Sequence, residues 1–168
     1  MLSSGDVRYW FQIFLIAALA LAAWRWGAGP ERITAGILVW FQAADGVNHA
    51  VLDISRSFAI NTGHVVIDLV GAAVAIAVAL YANRIYTLWF AAFQLLAVFA
   101  HLAREMASQV APLAYGLLYT GPSYFQILLL AGGIWLHRRR VRRHGPYRSW
   151  RGSSPPMPAR LRRDWPNV

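Results

Sequence analysis

The chain of 168 residues contains no cysteine and no lysine, and charged residues of either sign are scarce. Without cysteine, disulfides, zinc–thiolate sites and iron–sulfur clusters are excluded. The absence of lysine is typical of a GC-rich coding bias. Charged residues make up 14% of the chain, and only 7 of them are acidic. The sequence also has no HExxH zinc motif, no nucleotide-binding motif and no nucleophile paired with a base, which favours a non-catalytic protein over an enzyme.

Long apolar runs are what the sequence has instead. Hydrophobic residues make up 58% of the chain and its mean hydropathy is +0.41, more than a soluble domain of this size usually shows. A membrane-spanning helix needs about 20 apolar residues, and five runs are long enough: about 8–27, 33–52, 63–83, 86–104 and 112–137. Short turns separate them, so consecutive helices should be antiparallel neighbours. We therefore predict an all-α, polytopic membrane protein in which residues 1–137 form a five-transmembrane-helix bundle.

The remaining residues, 138–168, read as a basic tail. They carry ten of the sixteen arginines and five prolines, and they cannot bury a core, so we expect an extended tail. Arginines next to a membrane helix favour the cytoplasmic side. Five crossings then place the N-terminus in the periplasm of a bacterial inner membrane. The juxtamembrane arginines are Arg138, Arg139, Arg140, Arg142 and Arg143.

Two kinds of partner fit this tail. Its arginines should hold anionic lipid headgroups. Together with Trp150 and Trp165 they also resemble the arginine and tryptophan anchors of protein interfaces, which predicts docking to other membrane subunits. Nucleic acid is not expected as a partner, because no nucleic-acid-binding fold accompanies the basic segment.

Three of the predicted helices carry a histidine and a carboxylate four residues apart. Residues at this spacing lie on one face of a helix. Ionisable groups inside a membrane need a partner or water, so the set is a candidate ligand or proton site. With the predicted topology the set lies in the periplasmic half of the bundle. Its members are Asp45 and His49, His64 and Asp68, His101 and Glu105, extended by Gln42 and Gln94.

Four interpretations of this cluster stay open. The preferred one is that the groups form hydrogen bonds between helices or lie near helix ends, with no bound cofactor. Imidazole and carboxylate could instead bind a divalent metal. Two histidines could ligate haem or a tetrapyrrole pigment, and Ala97 to His101 has the Ala-x3-His pattern of such helices. Finally, protonatable side chains could relay protons or bind a quinone headgroup.

Five strings within residues 31–137 form a recognisable pattern: Glu31-Arg32, His64-Val65-Val66-Ile67-Asp68-Leu69, Leu88-Trp89-Phe90-Ala91-Ala92-Phe93-Gln94-Leu95-Leu96, His101-Leu102-Ala103-Arg104 and Pro122-Ser123-Tyr124. With these strings the chain resembles a family of small, uncharacterised multi-pass inner-membrane proteins of alphaproteobacteria. The resemblance implies a multi-pass inner-membrane fold and carries no particular activity. The first helix and the basic tail lie outside it.

Taken together, these patterns predict a non-catalytic accessory or structural subunit of a larger inner-membrane complex of the energy-converting kind, respiratory or photosynthetic. It would dock through helix packing and the basic tail. The first alternative is a redox protein that binds haem, pigment or metal through intramembrane histidines and aspartates. The second is a small transporter or proton channel, which would need to oligomerise to build a pathway.

Overall fold

The computed structural model describes residues 4–52, 62–106 and 112–152, with side chains described for 7–48, 63–101, 103 and 121–152. The prediction of an all-α chain with five helices is confirmed, and both ends of the first four helices lie within about one turn of the predicted positions. The helices are α1 (Ser4–Trp26), α2 (Gly29–Leu52), α3 (Thr62–Tyr81), α4 (Tyr86–Met106) and α5 (Pro112–His144).

The breaks between helices follow from residues that end or start them. The N–H of Gly27 donates to the carbonyl of Ala23 at 2.9 Å and closes the last turn of α1. Pro30 lies in the first turn of α2, where a missing N–H costs nothing. The turn 82–85 is equally short between α3 and α4. These tight connections make consecutive helices antiparallel.

Small side chains fill much of the space between the helices. Each helix packs against its neighbours in sequence, and α5 also reaches back to α1 and α2. Ala23, Ala75 and Ala79 are buried around the larger Phe90 and Leu130. Small residues let helices approach closely. In lipid, where burying apolar surface does not drive helices together, such close packing is what stabilises their association.

Among the described residues, two helices are long and apolar enough to cross a bilayer by length and composition. They are Val7–Trp26 in α1 and Gly63–Tyr81 in α3, while the apolar part of α4, Tyr86–His101, is shorter. These helices are consistent with a membrane location, but the predicted five crossings are not confirmed by this criterion. In α2, Glu31 and Arg32 precede the apolar run and Asp45 interrupts it.

The last helix is longer than predicted. The sequence predicts that it ends near His137 and that an extended tail starts at 138, whereas α5 continues to His144. Gly145 then adopts a φ of +78°, and its N–H donates to the carbonyl of Val141 at 2.9 Å. A glycine in this left-handed conformation is a common helix end, because it lacks the Cβ that would clash.

After this turn, the chain folds back onto the end of the bundle. The N–H of Asn83 donates to the carbonyl of Ser149 at 3.0 Å, and the N–H of Arg151 donates to the carbonyl of Tyr81 at 2.9 Å. Residues 145–151, within the first half of the predicted tail, therefore pack against the α3–α4 turn. Residues 153–168, which include Trp165, lie outside the described part of the chain.

Candidate functional site

Asp68 on α3 is the centre of a hydrogen-bond network that crosses three helices. Its Oδ2 lies 2.8 Å from Nε2 of His101, and its Oδ1 accepts from Nε2 of Gln94 at 3.3 Å. Both donors come from α4. Gln94 in turn accepts from Nε2 of Gln126 on α5 at 2.8 Å. Because Gln94 and Gln126 are each only 2% exposed, losing a partner here would leave a buried amide unsatisfied.

A second polar pair connects α2 with α3 through the ring of His64. Nδ1 of His64 lies 2.8 Å from Nδ2 of Asn48, and Nε2 lies 3.4 Å from Oδ1 of Asp45. With this amide orientation Asn48 can only donate, so Nδ1 accepts and a neutral ring carries its proton on Nε2. The imidazole N–H then faces the carboxylate of Asp45.

The partners of these residues come from neighbouring helices. The four-residue spacing pairs His64 with Asp68 on one face of α3, but in the structure His64 faces Asp45 of α2 and Asp68 binds His101 of α4. Side chains that point into the bundle contact the neighbouring helix rather than each other. The side chains of His49 and Glu105 lie outside the described part of the chain.

The structure does bring the other six predicted cluster residues into one layer, which we call the polar layer: Gln42, Asp45, His64, Asp68, Gln94 and His101. Five of them, together with Gln126, line a cavity of about 240 Å³, to which α1 contributes Tyr9 and Gln12. Nε2 of Gln42 is buried there, with no hydrogen-bond partner among the described residues.

The geometry of the polar layer bears on the metal and haem hypotheses. Among the described residues, no group of three or more His, Asp or Glu side chains is placed to hold a metal ion. His64 has both ring nitrogens in polar contacts, and Nε2 of His101 faces Asp68. Either histidine would have to break such a contact before it could ligate haem iron through that nitrogen. The arrangement suits hydrogen bonding between helices, or proton transfer along it.

A buried ion pair lies at the opposite end of the bundle. Glu31 is 0% exposed; its Oε1 accepts from Nε of Arg84 at 2.9 Å, and its Oε2 accepts from the backbone N–H of Ala28 at 3.0 Å. The second bond is half of a capping box at the start of α2. The side chain of Arg84 is 6% exposed. Removing one member of such a pair leaves an uncompensated buried charge.

Arg84 also joins α5 and the returning segment. Its Nη2 lies 3.1 Å from Nδ1 of His137, which must accept because a guanidinium only donates. The ring of Tyr147 lies 4.4 Å from the Arg84 guanidinium and 4.2 Å from that of Arg140. Partial burial raises the pKa of the Tyr147 phenol against the opposing effect of Arg84, so the phenol stays protonated at neutral pH.

The predicted docking residues, except Trp165, lie at this end of the bundle. We call it the arginine end, and it comprises residues 26–31, 81–87 and 137–152. Arg138 and Arg139 lie over the rings of tryptophans, at 4.2 and 5.2 Å. The ring of Trp150 packs against Gly29, where an added Cβ would come within 2.9 Å of it. Trp150 is therefore engaged within the chain itself. The remaining two predicted docking arginines, Arg142 and Arg143, lie in the last turn of α5 and are exposed.

The Glu31–Arg84 pair was missed by the sequence analysis, which considered residue spacing along single helices. Glu31 starts α2 and Arg84 lies in the turn before α4. Antiparallel helices bring both positions to the same end, and the two residues carry opposite charges. Charge combined with topology would have found the pair.

Comparison with protein-family models, with curated proteins and with solved structures found no match for this chain.

Proposed function

We propose that the chain is a multi-pass membrane protein whose five helices all cross a bacterial inner membrane. The supporting observation is the distribution of side chains. Every helix exposes large apolar residues, while Glu31, Gln94 and Gln126 are at most 2% exposed. Contiguous exposed apolar surface is rare on soluble monomers, whereas lipid favours it and disfavours exposed polar groups. Examples between 59% and 72% exposed, one from each helix, are Phe14, Val47, Leu80, Trp89 and Leu128.

Internal pairing supports α2 as one of these crossings despite its charges. Glu31 is neutralised by Arg84, and Asp45 faces His64. Arg32 lies in the first turn, where its Nη2 reaches the carbonyl of Trp24 at 3.2 Å. A helix with such pairing presents its apolar face to lipid. The concentration of arginines at one end supports a cytoplasmic C-terminus and a periplasmic N-terminus.

Within that membrane, the chain acts as a non-catalytic accessory subunit of a larger assembly. The observation that carries this proposal is the polar layer, whose carboxylates and imidazoles face one another across α2, α3 and α4. Groups used in this way hold helices together. The exposed aromatic side chains of α1, Trp10, Phe11 and Phe14, offer a surface for a neighbouring subunit. Aromatic side chains are typical anchors of such contacts.

Purification of the tagged protein from its native membrane in mild detergent tests this proposal. Co-purifying chains and the visible spectrum are recorded from the same sample. The expected result is a stoichiometric complex without a cofactor on this chain. An isolated, coloured or metal-loaded bundle whose colour or metal is lost with His101→Ala would overturn the proposal. Gln12→Ala, on α1 and lining the cavity of the polar layer, is the control variant that should leave the complex intact.

A second candidate function is proton or polar-solute transfer, which the cavity of about 240 Å³ favours. Its walls hold Asp45, His64 and Asp68, which can exchange protons, and amides that can orient a polar solute. Reconstitution in liposomes tests it. Flux that disappears with Asp68→Asn but persists with Arg32→Gln would support transfer, whereas flux equal to that of empty liposomes would reject it.

A further inference from the structure

A groove lies at the arginine end, between the start of α4, the last turns of α5 and the returning segment 145–151. Its volume is about 880 Å³. One wall is apolar and consists of Ile85, Leu88 and Leu136, which are 77%, 47% and 55% exposed. The other wall is cationic, and its arginines are Arg139, Arg140, Arg143 and Arg151.

The two walls are ordered along the bundle axis. Helix α4 begins at Tyr86 and α5 runs antiparallel to it, so Leu88 and Leu136 lie nearer the middle of the bundle than the arginines do. The groove therefore changes from apolar to cationic towards the end of the molecule. The interface of a bilayer has the same order, with acyl chains inside and phosphates outside.

Most of the positive charge of this groove has no carboxylate counterion among the described residues. Arg84 is satisfied by Glu31, but none of the other four arginines forms an ion pair with a carboxylate in the part of the chain that the structure describes. Arg139 and Arg140 contact aromatic rings instead. Four guanidinium groups in one groove repel one another, and a phosphate would relieve this repulsion through bidentate hydrogen bonds.

We propose that this groove binds an anionic glycerophospholipid, with its phosphate on Arg139, Arg140, Arg143 and Arg151 and an acyl chain against Ile85, Leu88 and Leu136. The inference rests on the proposed membrane location. The cationic wall by itself would accept any phosphate. The exposed apolar wall that continues it selects a phosphate that carries acyl chains.

The returning segment builds this site. Gly145 turns the chain, and the hydrogen bond from the Arg151 N–H to the Tyr81 carbonyl fixes Arg151 on the groove. Tyr147 lies beside Arg140 with its ring under that guanidinium. This restrains the arginine before a ligand arrives, and a restrained side chain loses less entropy on binding.

The test uses the purified full chain in lipid-free detergent, with the thermal midpoint followed during titration. A ligand that binds the folded state raises the midpoint as its concentration exceeds its Kd. The probes are dioleoyl phosphatidylglycerol, dioleoyl phosphatidylcholine, inorganic phosphate and an RNA oligonucleotide. Phosphatidylglycerol should stabilise the protein at concentrations at least about tenfold lower than phosphatidylcholine, since only the first has net negative charge.

Charge-removing variants localise the effect. R143Q/R151Q should bind phosphatidylglycerol about thirtyfold more weakly, since each arginine near an anionic surface contributes about a fivefold factor. R25Q/R32Q removes two arginines at the same end but outside the groove, and it should bind like the unmodified chain. Equal losses in both double variants would overturn the proposal, because they indicate a general charge effect.

The other outcomes are equally decisive. Stabilisation by inorganic phosphate equal to that by phosphatidylglycerol would overturn the lipid assignment in favour of a plain anion site. Tighter binding of the oligonucleotide would overturn it in favour of nucleic acid. Carbonate washing of native membranes distinguishes a failure of the lipid-binding groove from a failure of the proposed membrane location. If the protein stays in the membrane but does not discriminate between the two lipids, only the groove assignment fails; if it washes off, the membrane location fails.

Discussion

The Glu31–Arg84 pair gives the sharpest prediction for stability. In Arg84→Met the carboxylate of Glu31, which is 0% exposed, loses the guanidinium that lies 2.9 Å away. Breaking a buried pair in this way costs roughly 3–5 kcal/mol. We therefore expect a loss in this range, on the order of a thousandfold in the folding equilibrium. The assay is equilibrium unfolding by SDS in mixed micelles, followed by circular dichroism.

Two variants complete the experiment. Glu31→Gln combined with Arg84→Met should recover much of the stability, because replacing both members of a buried pair is far less costly than removing one. Arg32→Met removes an exposed arginine from the same turn of the chain and should cost at most about 1 kcal/mol. A loss in Arg84→Met no larger than the loss in this control would refute the reasoning.

The remaining predictions use the same unfolding assay. Gly133→Ala should cost about 1–3 kcal/mol, because its Cβ would lie 2.7 Å from the Tyr86 ring. The adjacent Gly132→Ala meets nothing within 4 Å and should be neutral or stabilising by up to about 1 kcal/mol; equal effects would contradict the packing. A double-mutant cycle of Asp68→Asn and His101→Ala should give a coupling energy of about 0.6–1.7 kcal/mol, and zero coupling would exclude their hydrogen bond.

How far the sequence predicts this structure depends on the kind of feature. The helices could be predicted because long apolar runs end at strong signals, such as Gly27 and Pro30 between α1 and α2. The polar layer could be placed by alternating helix direction, which brings Asp45, His64 and His101 to one level. Their partners could not be predicted, because spacing along one helix does not fix how that helix is rotated against its neighbours.

For residues 138–152, by contrast, the composition of the sequence predicts the structure poorly. Arginine and proline content predicts an extended segment after residue 137, yet α5 continues and then returns. The decisive contacts are local to the arginine end: Gly145 ends the helix, and the backbone of Arg151 pairs with Tyr81. Average composition cannot report such contacts. The ring of Tyr147 between charged neighbours is a further contact that only the folded end creates.

The number and direction of membrane crossings test the account most directly. The chain has no cysteine, so single cysteines can be introduced without background and labelled in intact cells with a membrane-impermeant maleimide. Five crossings predict that Ser57→Cys and Ser108→Cys react from outside, whereas Ile85→Cys and Gly152→Cys react only after the inner membrane is permeabilised. Labelling of Ser57→Cys and Ile85→Cys from the same side would show that α3 does not cross and would contradict the account.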